Sequence, residues 1–214
     1  MAIEFLCRKV GMTQFFSEAG EAVPVTVLAA GPNVVVQRKT EASDGYSAVQ
    51  LGVGARRANL FSRAERGHFE KANVAPQRDL RESRVSAEEA EGYEVGQEIS
   101  CDIFETGQRV DVIGISKGRG TAGVVKRHGV AIKKRTHGTH ESFRHVGSIG
   151  AGAYPGRVIK GMRMPGRMGN ERVTVRNLEI VQVDTDQNLL FVRGGIPGRN
   201  DGLVCVRTAG AGRR

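Results

Sequence analysis

Apolar and polar residues alternate in short runs over most of this chain, and the runs are separated by Gly, Pro, Asn and Asp. That pattern predicts strands at residues 3–10 and 13–16, a turn at 17–20, a strand at 22–30, a break at Gly31-Pro32-Asn33 and a further strand at 34–36. After a turn at Asp44-Gly45, residues 46–53 alternate, with Tyr46, Ala48 and Gln50 opposing Val49, Leu51 and Val53. Residues 77–85 read as an edge strand. Ser86-Ala87-Glu88-Glu89 is a capping box that opens a short acidic helix ended by Gly92. Strands follow at 97–104 and 108–116. The β pattern then stops, and resumes at 172–175, 178–183, 189–193 and 203–207, with a turn at 184–188.

The expected fold is mainly β. It is an antiparallel β-barrel built from residues 1–116 together with 171–214, carrying a partly helical insertion at 55–92 and a long basic, Gly-rich extension at 117–170. Unstructured connections longer than about 12–15 residues are uncommon in compact domains unless they are functional or disordered, which marks 117–170 as the working part. Two arms of 27 residues could reach at most about 90 Å, against a radius of gyration near 15 Å for the rest. The polar stretch 56–74, with Arg56, Arg57, Arg63, Arg66 and Lys71, is either a second basic patch or a solvated helix face that Glu65 and Glu70 partly balance.

Charge sharpens this division. Residues 117–170 contain Lys117, Arg119, Lys126, Arg127, Lys133, Lys134, Arg135, Arg144, Arg157, Lys160, Arg163 and Arg167 against the single Glu141, a net +11 in a chain whose total is +9. The remainder therefore carries −2, which is ordinary. Four of the five histidines and 13 of the 29 glycines also lie between Gly114 and Asn170, and apolar residues there come in scraps such as Val130-Ala131-Ile132. Ordering costs roughly 1–2 kcal/mol per residue, so the segment should not fold by itself and needs a polyanion. Glycine admits close backbone approach and Arg and Lys neutralise phosphate, so the expected partner is a nucleic acid with a compact surface, not a small-molecule substrate. The twelve cations and His137 are the candidate contacts, with Gly118, Gly120 and Gly123 as positions of close approach.

Other classes fit less well. No apolar run approaches the ~20 residues of a membrane span, and the first residues, MAIEFLCRKVGM, lack the apolar region of a secretory signal, so a cytoplasmic location is expected. Cys7, Cys101 and Cys205 are far apart, each within an expected strand, and read as small buried hydrophobes. Gly118-Arg119-Gly120-Thr121-Ala122-Gly123 matches the dinucleotide-binding GxGxxG string, which would make the chain a nucleotide-dependent oxidoreductase. Alternating βαβ units and an acidic residue ~20 positions on are both missing. His128, His137, His140 and His145 could supply metal ligands but have no Cys or Asp nearby, and stacking on bases or bonding to phosphate suits them better. No metal, cofactor or catalytic residue is expected. No nucleophile elbow, helix-turn-helix or zinc-finger pattern occurs, and a free-standing nucleic-acid chaperone is the remaining alternative.

Several strings together resemble one family, the bacterial form of the universal large-subunit ribosomal protein three. They are Lys9-Val10-Gly11-Met12-Thr13, Pro24-Val25-Thr26-Val27, Asp44-Gly45-Tyr46, Gly67-His68-Phe69, Ser116-Lys117-Gly118-Arg119-Gly120, Gly123-Val124-Val125-Lys126-Arg127, Thr136-His137-Gly138, Gly147-Ser148-Ile149-Gly150 and Met168-Gly169-Asn170-Glu171-Arg172-Val173, in the family's order across nearly the whole chain. The resemblance implies a barrel body on the outside of the large subunit and a loop threading 23S rRNA towards the peptidyl transferase centre, beside neighbouring ribosomal proteins. It also implies early rRNA binding that helps nucleate subunit assembly, and a loop tip at residues 145–154, where Gly147, Ser148 and Gly150 approach the RNA. Simple counting puts the apex near residue 143. Some bacterial members carry an N-methylated glutamine after the Gly-Ser-Ile-Gly string. This chain has Ala151 there, which rules out that modification at this position.

Overall fold

Residues 5–16, which read in sequence as two strands, form one. A computed structural model describes residues 3–17 and 20–210, so Glu18 and Ala19 of the expected 17–20 turn and the end of the Gly/Arg tail lie outside the described residues. The chain divides into two units, Met1–Ile115 with Arg172–Arg214, and Ser116–Glu171. In order, the first unit holds β1 (Phe5–Phe16), β2 (Ala22–Ala29), β3 (Asn33–Lys39), the single-turn α1 (Glu41–Asp44), β4 (Ala48–Ala55), α2 (Arg63–Lys71), β5 (Gln77–Arg84), α3 (Ala87–Glu91), β6 (Glu98–Ile99) and β7 (Arg109–Ile115). The second holds β8 (Thr121–Ala122), α4 (Val124–His128) and β9 (Gly166–Arg167). The first unit then resumes with β10 (Arg172–Asp184), β11 (Leu189–Arg193) and β12 (Leu203–Thr208).

The protein is mainly β, as its alternation predicts. Six antiparallel strands hydrogen-bond in the order β1-β12-β7-β10-β11-β2, and β2 returns to β1, closing a barrel. Closure depends on two bulged strands. In β1 the register against β2 shifts between Lys9 and Gly11, so its first half lies on β12 (Phe5↔Val206, Cys7↔Val204) while its second half extends the hairpin with β2. In β10 the register against β7 shifts between Val175 and Leu178, with Asn177 at φ 61° and its N–H donating to Asp111 Oδ1 at 3.0 Å. The polar Arg176-Asn177 pair, which in sequence looks like a gap between two strands, is this bulge.

The expectation of one barrel from all the strands outside 117–170 needs correction. β3, β4, β5 and β6 form a separate four-stranded sheet in the order β5-β4-β3-β6. The reason is pairing capacity: both edges of β2 are taken by β1 and β11, so β3 has no barrel edge to join. β5 is an edge strand, as its charged pattern suggests. The expected strand at 97–104 shrinks to β6, because Cys101–Ile103 makes one 3₁₀ turn closed by the Phe104 N–H on the Cys101 carbonyl at 3.1 Å. A three-residue step buries Cys101 and Phe104 on the same side, which the period of a strand would not.

One apolar core serves both sheets. Phe5, Leu28, Val110, Val112, Ile180 and Leu190 fill the barrel, and Leu6, on the opposite face of β1, belongs to the same cluster with Val35, Val49 and Leu51 of the second sheet. Phe5 meets Phe104 edge-on, with ring centroids 5.7 Å apart. A smaller cluster of Val36, Phe61 and Phe69 lies under α2, whose start is fixed by a capping box between Ser62 and Glu65. The basic residues of this stretch divide between roles: Arg66 donates to the Phe61 carbonyl at 3.2 Å and Arg56 lies 5.3 Å over the Phe61 ring, while Arg63 and Lys71 stay exposed. The three thiols are free. Burial, then Cys205 and Cys101, push the Cys7 thiol well up, and burial pushes Cys205 up to about 11.

Candidate nucleic-acid interface

The Ser116–Glu171 unit is held at its base by backbone bonds between an outgoing and a returning arm. The Ser116 N–H donates to the Glu171 carbonyl at 2.9 Å, the Arg119 N–H to the Met168 carbonyl at 2.9 Å, and the Met168 N–H to the Gly120 carbonyl at 3.0 Å. β8 and β9 continue the ladder through Thr121↔Arg167 and Ala122↔Gly166. The arms fit this closely because the returning one carries glycine where it meets the other. Gly169 has φ 72° and the Lys117 carbonyl fills the space beside it; at Gly166 a β-carbon would lie 2.6 Å from Arg127 Nη1.

Above the ladder, the single turn of α4 ends at Gly129 in the left-handed region, φ 65°. Val124 and Ala122 are buried. Arg127 Nη1 donates to the Met164 carbonyl at 3.0 Å, and His128 Nε2 lies 3.1 Å from the same oxygen. Further out the Lys133 N–H donates to the Phe143 carbonyl at 3.2 Å, and the Arg135 guanidinium lies 5.1 Å over the Phe143 ring. Lys133, Arg144 and His145 border a shallow depression of about 630 Å³ floored by Val124, Val146 and Pro165. Gly147 takes φ 80°, and Ser148 Oγ donates to the Gly150 carbonyl at 2.8 Å. Every residue from 147 to 163 is exposed.

The units differ in how their cations are paired. In the first, among the described residues, five cations have carboxylate partners: Arg8 with Asp79, Lys39 with Glu82, Arg172 with Glu4, Arg193 with Glu179, and Arg207 with Glu4 and Asp111. In the second, among the described residues, none of the twelve cations forms an ion pair, and all but Arg127 are exposed. Such a surface repels itself until an anion covers it.

The structure sorts the residues singled out from sequence. Lys117, Arg119, Lys126, Lys133, Lys134, Arg144, Arg157, Lys160, Arg163 and Arg167 present exposed charge, as does His137 an exposed ring. Arg127 and His128 also work inside the unit, on Met164. Gly118 and Gly123 have room for a methyl group, whereas Gly120 sits at φ 67°. Within the GxGxxG string, Thr121 and Ala122 are spent on pairing with β9, and the helix that follows has five residues. That is no dinucleotide-binding turn, which needs a long helix packed on a parallel sheet. Among the described residues no three His, Cys, Asp or Glu side chains converge, and no helix is long and apolar enough to cross a membrane. Sequence reasoning missed Gly166 and Gly169; their signal was glycine on the returning arm at the spacing where β9 meets β8.

Comparison with known proteins decides the family. The chain is 54% identical over 208 residues to the large ribosomal subunit protein uL3 of Pelotomaculum thermopropionicum, covering 97% of each chain. It is 52% identical to that of Carboxydothermus hydrogenoformans, over 97% of this chain and 98% of the relative, and 53% identical to that of Cutibacterium acnes, over 94% and 89%. The chain belongs to the ribosomal protein L3 family. The family model for ribosomal protein L3 matches residues 85–189, which take in the whole basic unit. Membership of the L3 family bears out the resemblance carried by the sequence strings.

Proposed function

We propose that this chain is a structural constituent of the large ribosomal subunit that binds rRNA through its Ser116–Glu171 unit. The observation that carries the reading is the set of twelve cations that have no carboxylate partner among the described residues, in a chain whose relatives are named large-subunit proteins. In this reading the barrel body is the anchor and residues 117–170 are the part that enters the RNA. The partners are 23S rRNA and neighbouring ribosomal proteins, and the location is the ribosome in the cytoplasm. Early binding helps nucleate assembly, and the segment around Gly147, Ser148 and Gly150 is directed towards the peptidyl transferase centre. The protein has no catalytic role of its own. No observation favours the oxidoreductase reading.

The experiment is sedimentation of a cell extract through a sucrose gradient with detection of this chain. It is expected with large subunits and with their assembly precursors. A chain confined to the free fraction would overturn the proposal, and heat of binding on titration with NAD or NADP would revive the enzyme alternative.

A further inference from the structure

We propose that Tyr154 is a base-stacking residue, whose ring receives an unpaired nucleobase of the large-subunit rRNA. The inference rests on the reading of the Ser116–Glu171 unit as RNA-binding and adds to it a contact that charge alone does not supply. The chain has three tyrosines and no tryptophan. Two tyrosines are committed within the fold. The Tyr46 hydroxyl donates to Glu82 Oε2 at 2.8 Å and accepts from Lys39 Nζ at 2.9 Å, and its ring faces Arg84 at 4.9 Å. Tyr93 packs against the core.

Tyr154 is 90% exposed, and among the described residues its hydroxyl has no hydrogen-bond partner and its ring no aromatic or cationic neighbour. The local chain holds it that way. Gly152, Ala153, Pro155 and Gly156 flank it with small groups, and no bulky side chain lies beside it in sequence before Arg157. A compact turn presents it: Gly156 has φ 66°, and a β-carbon there would lie 3.2 Å from the Ala153 carbonyl.

The occupant follows from charge. Ring stacking with protein would require a partner that tolerates Arg157, Lys160 and Arg163 close by in sequence, with no acid between Glu141 and Glu171. A nucleic acid meets both demands at once, since its phosphates neutralise the cations while its bases supply flat apolar faces. The exposed Ile149 and Ile159 belong to the same stretch but lack a planar face.

Affinity for a 23S rRNA transcript, measured with the full chain and three variants, tests the proposal. Tyr154→Phe keeps the ring and should bind within about twofold of the unmodified protein, while Tyr154→Ala and Tyr154→Leu should each bind about 5- to 100-fold more weakly, with the salt dependence unchanged. Ultraviolet irradiation of the complex should link the peptide containing Tyr154 to a nucleotide. Full affinity in Tyr154→Ala overturns stacking, and full affinity in Tyr154→Leu overturns it in favour of an apolar socket. If the unmodified protein binds without salt dependence, the RNA-binding reading fails and takes this proposal with it.

Discussion

The backbone carbonyl of Lys117 occupies the space into which a side chain on Gly169 would extend. The two residues come from opposite arms of the basic unit, so the contact fixes how closely the arms run. A methyl group at Gly169 would meet that carbonyl and would also hold a non-glycine residue at φ 72°.

Gly169→Ala is therefore expected to destabilise the base of the unit by about 1–3 kcal/mol. Faster hydrogen exchange at the Arg119 and Met168 amides would register the change, while the thermal midpoint of the barrel moves by less than about 2 °C. Gly123→Ala is the complementary case, because φ is −69° and nothing lies within 4 Å. Exchange in the free protein should stay the same, and subunit assembly should suffer only if RNA approaches that position.

Binding to naked rRNA should depend steeply on salt. If about 6–10 of the cations contact phosphate, affinity falls by roughly 10³–10⁵ between 50 and 200 mM salt. A nearly flat response in filter binding would contradict the electrostatic account.

Acid should loosen the two capped helices before the barrel. Glu65 Oε2 accepts from the Ser62 N–H at 2.8 Å and Glu89 Oε2 from the Ser86 N–H at 3.0 Å. These backbone hydrogen bonds, more than the serine hydroxyls, hold both carboxyls below the ordinary value of 4.5. A depressed folded pKa stabilises above 4.5, and that contribution is lost as pH falls through the folded values. Thermal midpoints should thus drop more steeply below about pH 5 for the unmodified protein than for a Glu65→Gln/Glu89→Gln double variant.

The thiols should resist alkylation in the native state. With Cys205 raised to about 11 from 9.0, its thiolate fraction at pH 8 is about 100-fold lower than that of a free cysteine. Cys7, fully buried in β1, should react more slowly still. Mass spectrometry after iodoacetamide at pH 8 is expected to show the unmodified chain until denaturant is added.

Local pattern disclosed most strands, because short apolar runs bounded by turn residues mark β4, β7 and β11 without reference to any partner, although burial alternates only in β11 while β4 and β7 are buried on both faces. It disclosed the basic unit equally well, since twelve cations in one connection need no fold to be noticed. What it could not disclose was pairing at a distance. Nothing in residues 203–208 says that they lie between β1 and β7, and nothing in residues 33–55 says that β2 has no edge left for them. Bulges mislead for the same reason: Arg176-Asn177 interrupts alternation in one strand as a loop would between two. At the basic unit the GxGxxG string drew attention to the outgoing arm, whereas the tightest glycine contacts sit on the returning arm at Gly166 and Gly169. They are visible only once the arms are paired.

The position of β12 sets the order in which the molecule can be completed. It bridges β1 and β7, yet about 90 residues separate the end of β7 from its first residue, so a ribosome adding roughly 5–20 residues per second needs about 4–18 s to span that gap. Throughout that interval β1 lacks its β12 neighbour and β7 waits first for β10 and then for β12, while the whole cationic connection is synthesised before β12 arrives. The newborn chain thus meets its surroundings as an unsealed sheet bearing strong positive charge, and its yield depends on what shields those edges until the sixth strand arrives.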